Sequence, residues 1–377
     1  MAGIYIHIPF CAQKCHYCDF YSLASLKYRD KVIESIIKEI EFRKDFLGDA
    51  IVNTIYFGGG TPSILTISEI KTIIDQLYTN YSIAEDPEIT LEANPEDLNS
   101  EFLRDLKCIG INRLSIGIQT TFDKYLEFMN RRHSAGQGLK SIREAKKAGF
   151  TNISIDLIYG IPGLTMDEWK QSIDEILQLG IQHISAYHLT IEEKTAFGVF
   201  KKRGKLKEIE EDSSFQQFEL LIKKLNEKQF IHYEISNFAR ENFYSKHNSN
   251  YWKQVPYLGI GPSAHSFKKG IRTWNFSSIK PYIEALNENK LPFEQESLTK
   301  TDQYNDYVIT TLRTIWGIDI NYIEKEFGEE YLQHLLKNAE YYVNKDYLVM
   351  KEKKLTLTSQ GKFISDAIIS DLFYLNS

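Results

Sequence analysis

Six short apolar runs recur along the first half of the 377-residue chain: GIYIHI, NTIYFGGG, EITLEANP, RLSIGIQ, NISIDLIYG and HISAYHLT. Between them lie longer segments of helical periodicity, among them YRDKVIESIIKEIEFRKDF, ISEIKTIIDQLYTNY, SAGQGLKSIREAKKAG and TMDEWKQSIDEILQLG. Strict alternation of strand and helix predicts a parallel sheet, because parallel neighbours need a crossover between them. The near-continuous Ile and Leu content of the runs predicts strands buried on both faces. Polar or glycine-rich residues close nearly every run: GGGTPS, EANP, QT, HLT. A site is therefore expected at the carboxyl ends of the strands, where a barrel and an open doubly wound sheet both carry one. The alternation alone does not separate those two folds.

The first strand runs into IYIHIPFCAQKCHYCDF, which places Cys11, Cys15 and Cys18 within eight residues of a chain that has four cysteines. Nothing at the N-terminus reads as a secretory signal and no apolar run is long enough to span a bilayer, so a reducing, cytoplasmic setting is expected. In that setting clustered cysteines point to metal or redox chemistry rather than to disulfides. Three soft ligands suit zinc or an iron–sulfur cluster. A structural zinc site takes four ligands, usually as two separated pairs, and no second pair exists here. A [4Fe–4S] cluster held by three thiolates leaves one iron open to an exogenous ligand. Cys108, alone in LKCIG, is expected to be a small buried apolar residue.

Beyond residue 280 the texture changes. SSIKPYIEALNENKLPFEQESLTKTDQ is polar with two prolines and reads as a connection. YNDYVITTLRTIWG and INYIEKEFGEEYLQHLLKNAEYYV then predict helices, LVMKEKKLTLTSQG a hairpin, and a last helix follows. The expected organisation is a domain over 1–280 and a mostly helical, winged-helix-like domain over 281–377. A net charge of −6 argues against nucleic acid as a partner.

Cys-x3-Cys-x2-Cys just after a first strand resembles the radical S-adenosylmethionine (SAM) superfamily. That resemblance implies an α/β fold, a partial parallel (β/α)6 TIM-like barrel, with a [4Fe–4S] cluster on Cys11, Cys15 and Cys18. It also implies that the amino and carboxylate groups of SAM chelate the open iron, and that one electron cleaves the sulfonium to a 5′-deoxyadenosyl radical. The match runs from YIHIPFC through GGGTPS, SIGIQ, IDLIYGIPG and GIGPSAHS into the helical C-terminal part. It is similar to the family that includes oxygen-independent coproporphyrinogen III oxidase. Residues at SAM-contacting motif positions of that family are Tyr5, Gly59, Gly60 and Thr61, then Glu92, Gln119, Arg131 and Asp156.

The residues themselves suit that task. Gly58 to Thr61 allow close backbone approach and offer N–H groups. Arg131 carries a planar fork that fits a carboxylate. Asp156 is an acid set among Ile and Leu, which costs energy unless it is partnered. Taken alone, the glycines also read as an ordinary tight turn, Glu92 as a solvated helix-start acid and Arg131 as a surface residue.

Within the family two readings compete. The oxidase removes two propionate carboxyls from coproporphyrinogen III, and its cysteine loop carries a further cysteine two residues after the third. Phe20 stands at that position here. CDF instead resembles the HemW branch of haem-binding chaperones, as does His247-Asn248-x-x-Tyr251-Trp252, which matches its HNxxYW motif. The branch implies haem as cargo, with His247 as a candidate axial ligand. Locally, the same residues read as a turn stapled to the core by its aromatics. Met129 and His133 are weaker candidate ligands, and His265 in GIGPSAHS is expected beside the SAM cleft. The expected function is haem carriage to recipient, respiratory haemoproteins, with an electron donor such as a flavodoxin or ferredoxin. The alternatives are the porphyrinogen oxidase (dehydrogenase) and a zinc-binding structural module.

Overall fold

The computed structural model describes residues 1–375. All six expected strands form: β1 (Ala2–Ile8), β2 (Val52–Gly59), β3 (Ile83–Ala93), β4 (Arg113–Gln119), β5 (Asn152–Tyr159) and β6 (His183–His188). They pair in parallel in sequence order. The crossover helices start where the chain supplies capping boxes, at Thr66 with Glu69, Ser134 with Gln137 and Thr165 with Glu168. Each such pair satisfies free N–H groups of the first turn, so helix starts are written locally. Ile4, Ile6 and Ile8 are fully buried under these helices. The residues between them, Tyr5 and His7, face the other side of the sheet, as the two-residue period of a strand requires.

The sheet does not end with these six. On one side follow β7 (Ile231–Glu234) and β8 (Asn237–Ala239), with β8 antiparallel to β6. On the other, β9 (Tyr257–Ile260) pairs in parallel with β1. It is extended antiparallel by β10 (His265–Lys268), β11 (Ile271–Asn275) and β12 (Phe293–Ser297). The order β12-β11-β10-β9-β1-β2-β3-β4-β5-β6-β8-β7 has two free ends, so the barrel is partial and open along one side.

A buried polar knot fastens the β9–β11 wing. Glu39, fully buried, accepts hydrogen bonds from Gly261 N–H (2.9 Å), Tyr282 Oη (2.7 Å) and Asn275 Nδ2 (2.7 Å). Arg43, one turn on, donates to Gly259 O (3.1 Å), Ser266 Oγ (3.1 Å) and Thr273 Oγ1 (3.3 Å). Burying these groups is tolerable because nearly every donor and acceptor is met.

That knot also moves the domain boundary. The helix Ile279–Asn287 buries Ile279, Tyr282, Ile283 and Leu286 in the barrel core, and β12 completes the barrel's sheet. The second hydrophobic core begins only at Tyr304. The break lies near 298–303 rather than at the expected 280: the intervening stretch is polar and proline-bearing, but its apolar residues repeat at helical spacing and pack on the barrel.

The C-terminal domain has helices Lys300–Leu312, Ile320–Phe327 and Glu329–Asn344, the last two parted at Gly328 with φ of 91°. Its small sheet is β13 (Ile318–Asp319), β14 (Leu348–Lys351) and β15 (Lys354–Leu357), and two short helices follow. It docks on β7, where Ile235 N–H donates to Arg313 O (3.1 Å), Ile315 N–H to Tyr233 O (3.0 Å) and Lys362 Nζ to His232 O (3.0 Å). The expectation of a mostly helical C-terminal part therefore holds. Among the described residues no helix is long and apolar enough to cross a membrane.

Candidate functional site

After β1 the chain leaves the sheet in a loop closed by its own backbone. Cys11 N–H donates to Leu23 O (3.0 Å) and Leu23 N–H to Pro9 O (2.8 Å). The segment after β4 straps the loop from above. His16 donates its backbone N–H to Met129 O (3.1 Å), its ring Nδ1 meets Phe128 O (3.0 Å), and Gln13 Nε2 donates to Asn130 Oδ1 (2.7 Å). The loop's cysteines are thus held by residues more than a hundred positions away.

Cys11, Cys15 and Cys18 all border one cavity of about 500 Å3 at the carboxyl ends of the barrel strands. Thr61 Oγ1 donates to Cys11 Sγ (3.4 Å) and Arg131 Nη1 to Cys15 Sγ (3.5 Å). Among the described residues no three His, Cys, Asp or Glu side chains converge on a point suitable for a single metal ion. The three thiols share the lining of one cavity, and three thiolates suit a cluster that keeps one iron open. Cys108 takes no part. It is exposed at the end of the helix Ser100–Cys108, not buried, because the apolar stripe of that helix runs through Leu103 and Leu106.

Seven of the eight residues expected to meet SAM line this same cavity: Gly59, Gly60, Thr61, Glu92, Gln119, Arg131 and Asp156. Gly59 has φ of +107°, and a Cβ there would lie 2.6 Å from the His7 ring. One on Gly60 would lie 2.6 Å from Phe10 O, so both positions exclude a side chain. Glu92 accepts hydrogen bonds from Tyr56 Oη (2.7 Å) and Gly59 N–H (3.2 Å), yet burial pushes its carboxyl up to about 7. Burial likewise pushes Asp156 up to about 6. Two desolvated acids on one wall make a place for a cation. Arg131 lies in the loop between the helices Asp123–Phe128 and Ala135–Lys147 and anchors through Asn94 Oδ1 (2.8 Å) and Gly117 O (2.8 Å), its third contact being the Cys15 sulfur.

Several cavity residues were not singled out in the sequence. Asn94 and Ser115 sit among the acids, and Tyr187 and His188 close the far wall. The polar end of EANP was a signal for Asn94. Nothing local marks Tyr187, which is brought in by its place on β6.

Tyr5 and His247 lie elsewhere. Tyr5 stacks on Tyr56 (centroids 6.1 Å apart), donates to or accepts from His7 Nδ1 (3.1 Å), and faces a second cavity of about 720 Å3. His247 lies on the short helix Lys246–Trp252, whose first N–H groups donate to the Glu88 carboxylate (3.2 and 3.0 Å). Its imidazole is fully enclosed, with Nδ1 against Thr54 Oγ1 (2.9 Å) and Nε2 against Tyr251 Oη (2.8 Å), stacked on Tyr56 at 5.0 Å. Burial lowers its pKa to about 3, so it is neutral. With both nitrogens engaged, this ring presents no lone pair to either cavity. Met129 and His133 are buried too, His133 through Nε2 to Ile118 O (3.2 Å). His265 borders the second cavity, not the cysteine-lined one.

A partial parallel barrel with three thiols on the loop after its first strand, opening on a glycine- and carboxylate-lined cavity, defines a protein of the radical SAM class. Residues 5–176 match the Radical SAM superfamily and residues 298–364 the HemN C-terminal domain. The fold superposes on coproporphyrinogen III oxidase (HemN) from Escherichia coli with a TM-score of 0.86 over 99% of this chain and 90% of that one, at 22% identity. The chain is 34% identical to the haem chaperone HemW of Bacillus subtilis, over 98% of each sequence. It is also 34% identical to HemW of Lactococcus lactis, over 95% of this chain and 93% of that protein. The chain belongs to the HemW family of radical SAM proteins. Membership implies a [4Fe–4S] cluster and SAM, and the three thiols, their two donors and the paired acids fit both.

Proposed function

We propose that this protein carries haem and hands it to recipient haemoproteins, those of respiration among them, while keeping a SAM-coordinated [4Fe–4S] cluster. Cys11, Cys15 and Cys18 hold the cluster. Thr61 and Arg131 stabilise charge on two of its sulfur ligands. Arg131 would pair with the SAM carboxylate through its guanidinium, Glu92 and Asp156 would offset its ammonium and sulfonium, and Gly59 and Gly60 would let its amino group approach bare backbone. Gln119, almost wholly buried at φ of 67°, would offer its side-chain amide to SAM from the lining of the same cavity. When bound and reduced, the cluster supplies the electron that cleaves the SAM sulfonium. The reduced donor would be a flavodoxin or ferredoxin, small enough to approach the half-buried Cys15 and Cys18.

The observation that carries the haem reading is full-length likeness to HemW together with Phe20 in CHYCDF. Phe20 borders both cavities and is 71% exposed. A phenyl ring there offers an apolar contact to a flat macrocycle and no sulfur chemistry. The second cavity is within the roughly 300–1,000 Å3 range of small-molecule sites and is walled mainly by aromatic groups. The oxidase reading is favoured by one observation, the retained cysteine-lined cavity with its acids. Anaerobically reconstituted protein given SAM, reductant and coproporphyrinogen III is expected to form no protoporphyrinogen, while haem titration gives a saturable Soret band. Protoporphyrinogen formation at oxidase rates without haem binding would reverse the assignment.

A further inference from the structure

The segment FKKRGKLK, residues 200–207, carries five basic residues and no acid in a chain of net charge −6. It begins on the helix Ala196–Lys202, which Thr195 caps by accepting from Gly198 N–H (3.1 Å). That helix supports the cysteine loop from outside. Phe197 N–H donates to His16 O (2.9 Å), and the His16 ring packs against Phe197 (centroids 5.6 Å apart) and Phe200 (5.4 Å). His16 stands between Cys15 and Cys18, so the helix holds the part of the loop that carries two of the three thiols.

With Phe197 and Phe200 turned to the loop, the opposite face of the helix is left to solvent. Val199, Lys202 and Arg203, spaced i, i+3 and i+4, share that face and are exposed, Val199 to 40%. Lys201 pairs with Glu208 and Lys207 with Glu210, at 2.5 Å each. The side chains of Lys202, Arg203 and Lys205 meet no carboxylate among the described residues. Positive charge at a helix C-terminus is ordinary, since it faces the negative end of the helix dipole, but Lys205 lies past the helix and gains little from it. Three free cations beside an exposed apolar side chain, backed directly by the cysteine loop, make a surface of one charge sign with an apolar centre.

We infer that this face docks an acidic one-electron carrier protein that reduces the cluster. The inference rests on the cluster of the reading above and not on its haem. Charge complementarity selects such a partner: Lys202, Arg203 and Lys205 meet carboxylates around the partner's redox group, with Val199 at the centre of the contact. A partner seated there is separated from the cysteine loop by one helix, roughly 10–12 Å across with its side chains. In the step served, the carrier loses one electron and the cluster gains it, and no bond forms or breaks. Nucleic acid, another taker of basic runs, is disfavoured by the acids Glu208, Glu210, Glu211 and Asp212 that follow directly.

The reconstituted full chain is mixed anaerobically with a reduced flavodoxin of net negative charge, and cluster reduction is followed by stopped-flow absorbance. Binding of the oxidised flavodoxin is measured by calorimetry in parallel. Electrostatic steering is worth roughly 10–1,000-fold in association rate, so the triple variant Lys202→Glu, Arg203→Glu, Lys205→Glu should slow reduction at least about tenfold at low salt and weaken binding. At about 1 M salt, where the Debye length is about 3 Å, variant and wild type should converge. Reduction by dithionite, which needs no docking face, should be equal in both. Lys351→Glu, Lys353→Glu, Lys354→Glu on the β14–β15 hairpin changes the net charge by the same amount and should alter the rate less than about twofold. Equal flavodoxin rates and affinities in wild type and the first variant overturn the inference, as does loss of heparin binding by that variant with flavodoxin reduction unchanged. Haem titration of the same preparations then leaves the carrier reading intact. A wild type that takes up no haem yet shows the flavodoxin effect overturns the carrier reading alone, and a chain that assembles no cluster overturns both.

Discussion

Two stretches of this chain look equally rich in chemistry: Cys11 to Cys18, and His247 to Trp252. The fold treats them in opposite ways. The cysteine loop stands on a closed backbone bridge and turns its three thiols to a cavity. The His247 helix is driven under the barrel, where its imidazole is sandwiched between Thr54 and Tyr251 and stacked on Tyr56. A ligand type becomes a ligand only when its lone pair is left unpaired and reachable. In the first stretch the fold leaves the sulfurs facing a cavity, and in the second it ties up both ring nitrogens.

The largest expected effect falls on the open stretch. Replacing any one of Cys11, Cys15 or Cys18 with Ala should reduce bound iron from about four per chain to near none after anaerobic reconstitution, with loss of the brown visible absorption. Retention of a full complement of iron by all three variants would remove these residues from the cluster.

On the closed stretch, His247→Ala should cost stability rather than ligation. It deletes a packed ring and orphans the hydroxyls of Thr54 and Tyr251, which together are worth about 2–4 kcal/mol by denaturant melts. If melting were unaltered while haem binding vanished, the contrast between the two stretches would collapse.

Gly59→Ala sharpens it from the cavity side. The substitution meets both the positive φ and the 2.6 Å approach to His7, so a loss of about 1–3 kcal/mol is expected, together with weakened SAM binding by calorimetry.

The paired acids give a pH signature. Glu92 and Asp156 hold their protons to about 7 and about 6 in the folded state, above their ordinary values of 4.5 and 3.8. The folded chain therefore binds more protons than the unfolded one between those limits. The stability that these two acids contribute is fully present below about pH 4 and is lost as pH rises through about 7. Glu92→Gln should flatten that slope in thermal melts. SAM, a cation at its sulfonium and ammonium, should bind wild type more tightly at pH 8 than at pH 6, and a flat profile would take Glu92 out of the SAM site.

The smallest effect belongs to Phe20→Ala. An exposed side chain should change stability by under about 0.5 kcal/mol and leave the cluster spectrum intact. A severalfold loss of haem affinity is expected if Phe20 lines the haem cavity.

Much of this was legible in the chain. The six parallel strands follow from alternation, and the crossover helices from capping pairs such as Thr66 with Glu69, because both signals act within a few residues. The cysteine spacing and the GGG turn marked one cavity, and seven of the eight residues matched to SAM positions line it together. The wing strands β9 to β12 went unread because they are only 4 or 5 residues long, and β12 is largely exposed, so they carry little apolar pattern. The domain boundary slipped for a related reason. Glu39 and Arg43, far upstream, are what tie Tyr282 and the wing to the barrel, and no local feature near residue 280 announces that partnership. Cys108 was expected inside and lies outside, since a lone cysteine at a helix end has no period to place it.

The sequence by itself determined the six parallel strands, their helix starts, the three-thiol loop and the glycines that let a ligand approach, all of which depend on neighbours in the chain. Only the tertiary structure decided which histidines are free. His247 and His265 are the same residue in equally polar surroundings on paper, but hydrogen bonds from β2 and from its own helix close one, while the edge of β10 leaves the other open to a cavity. Accessibility of a lone pair is set by what packs around it from distant strands, and that information exists only once the chain has folded.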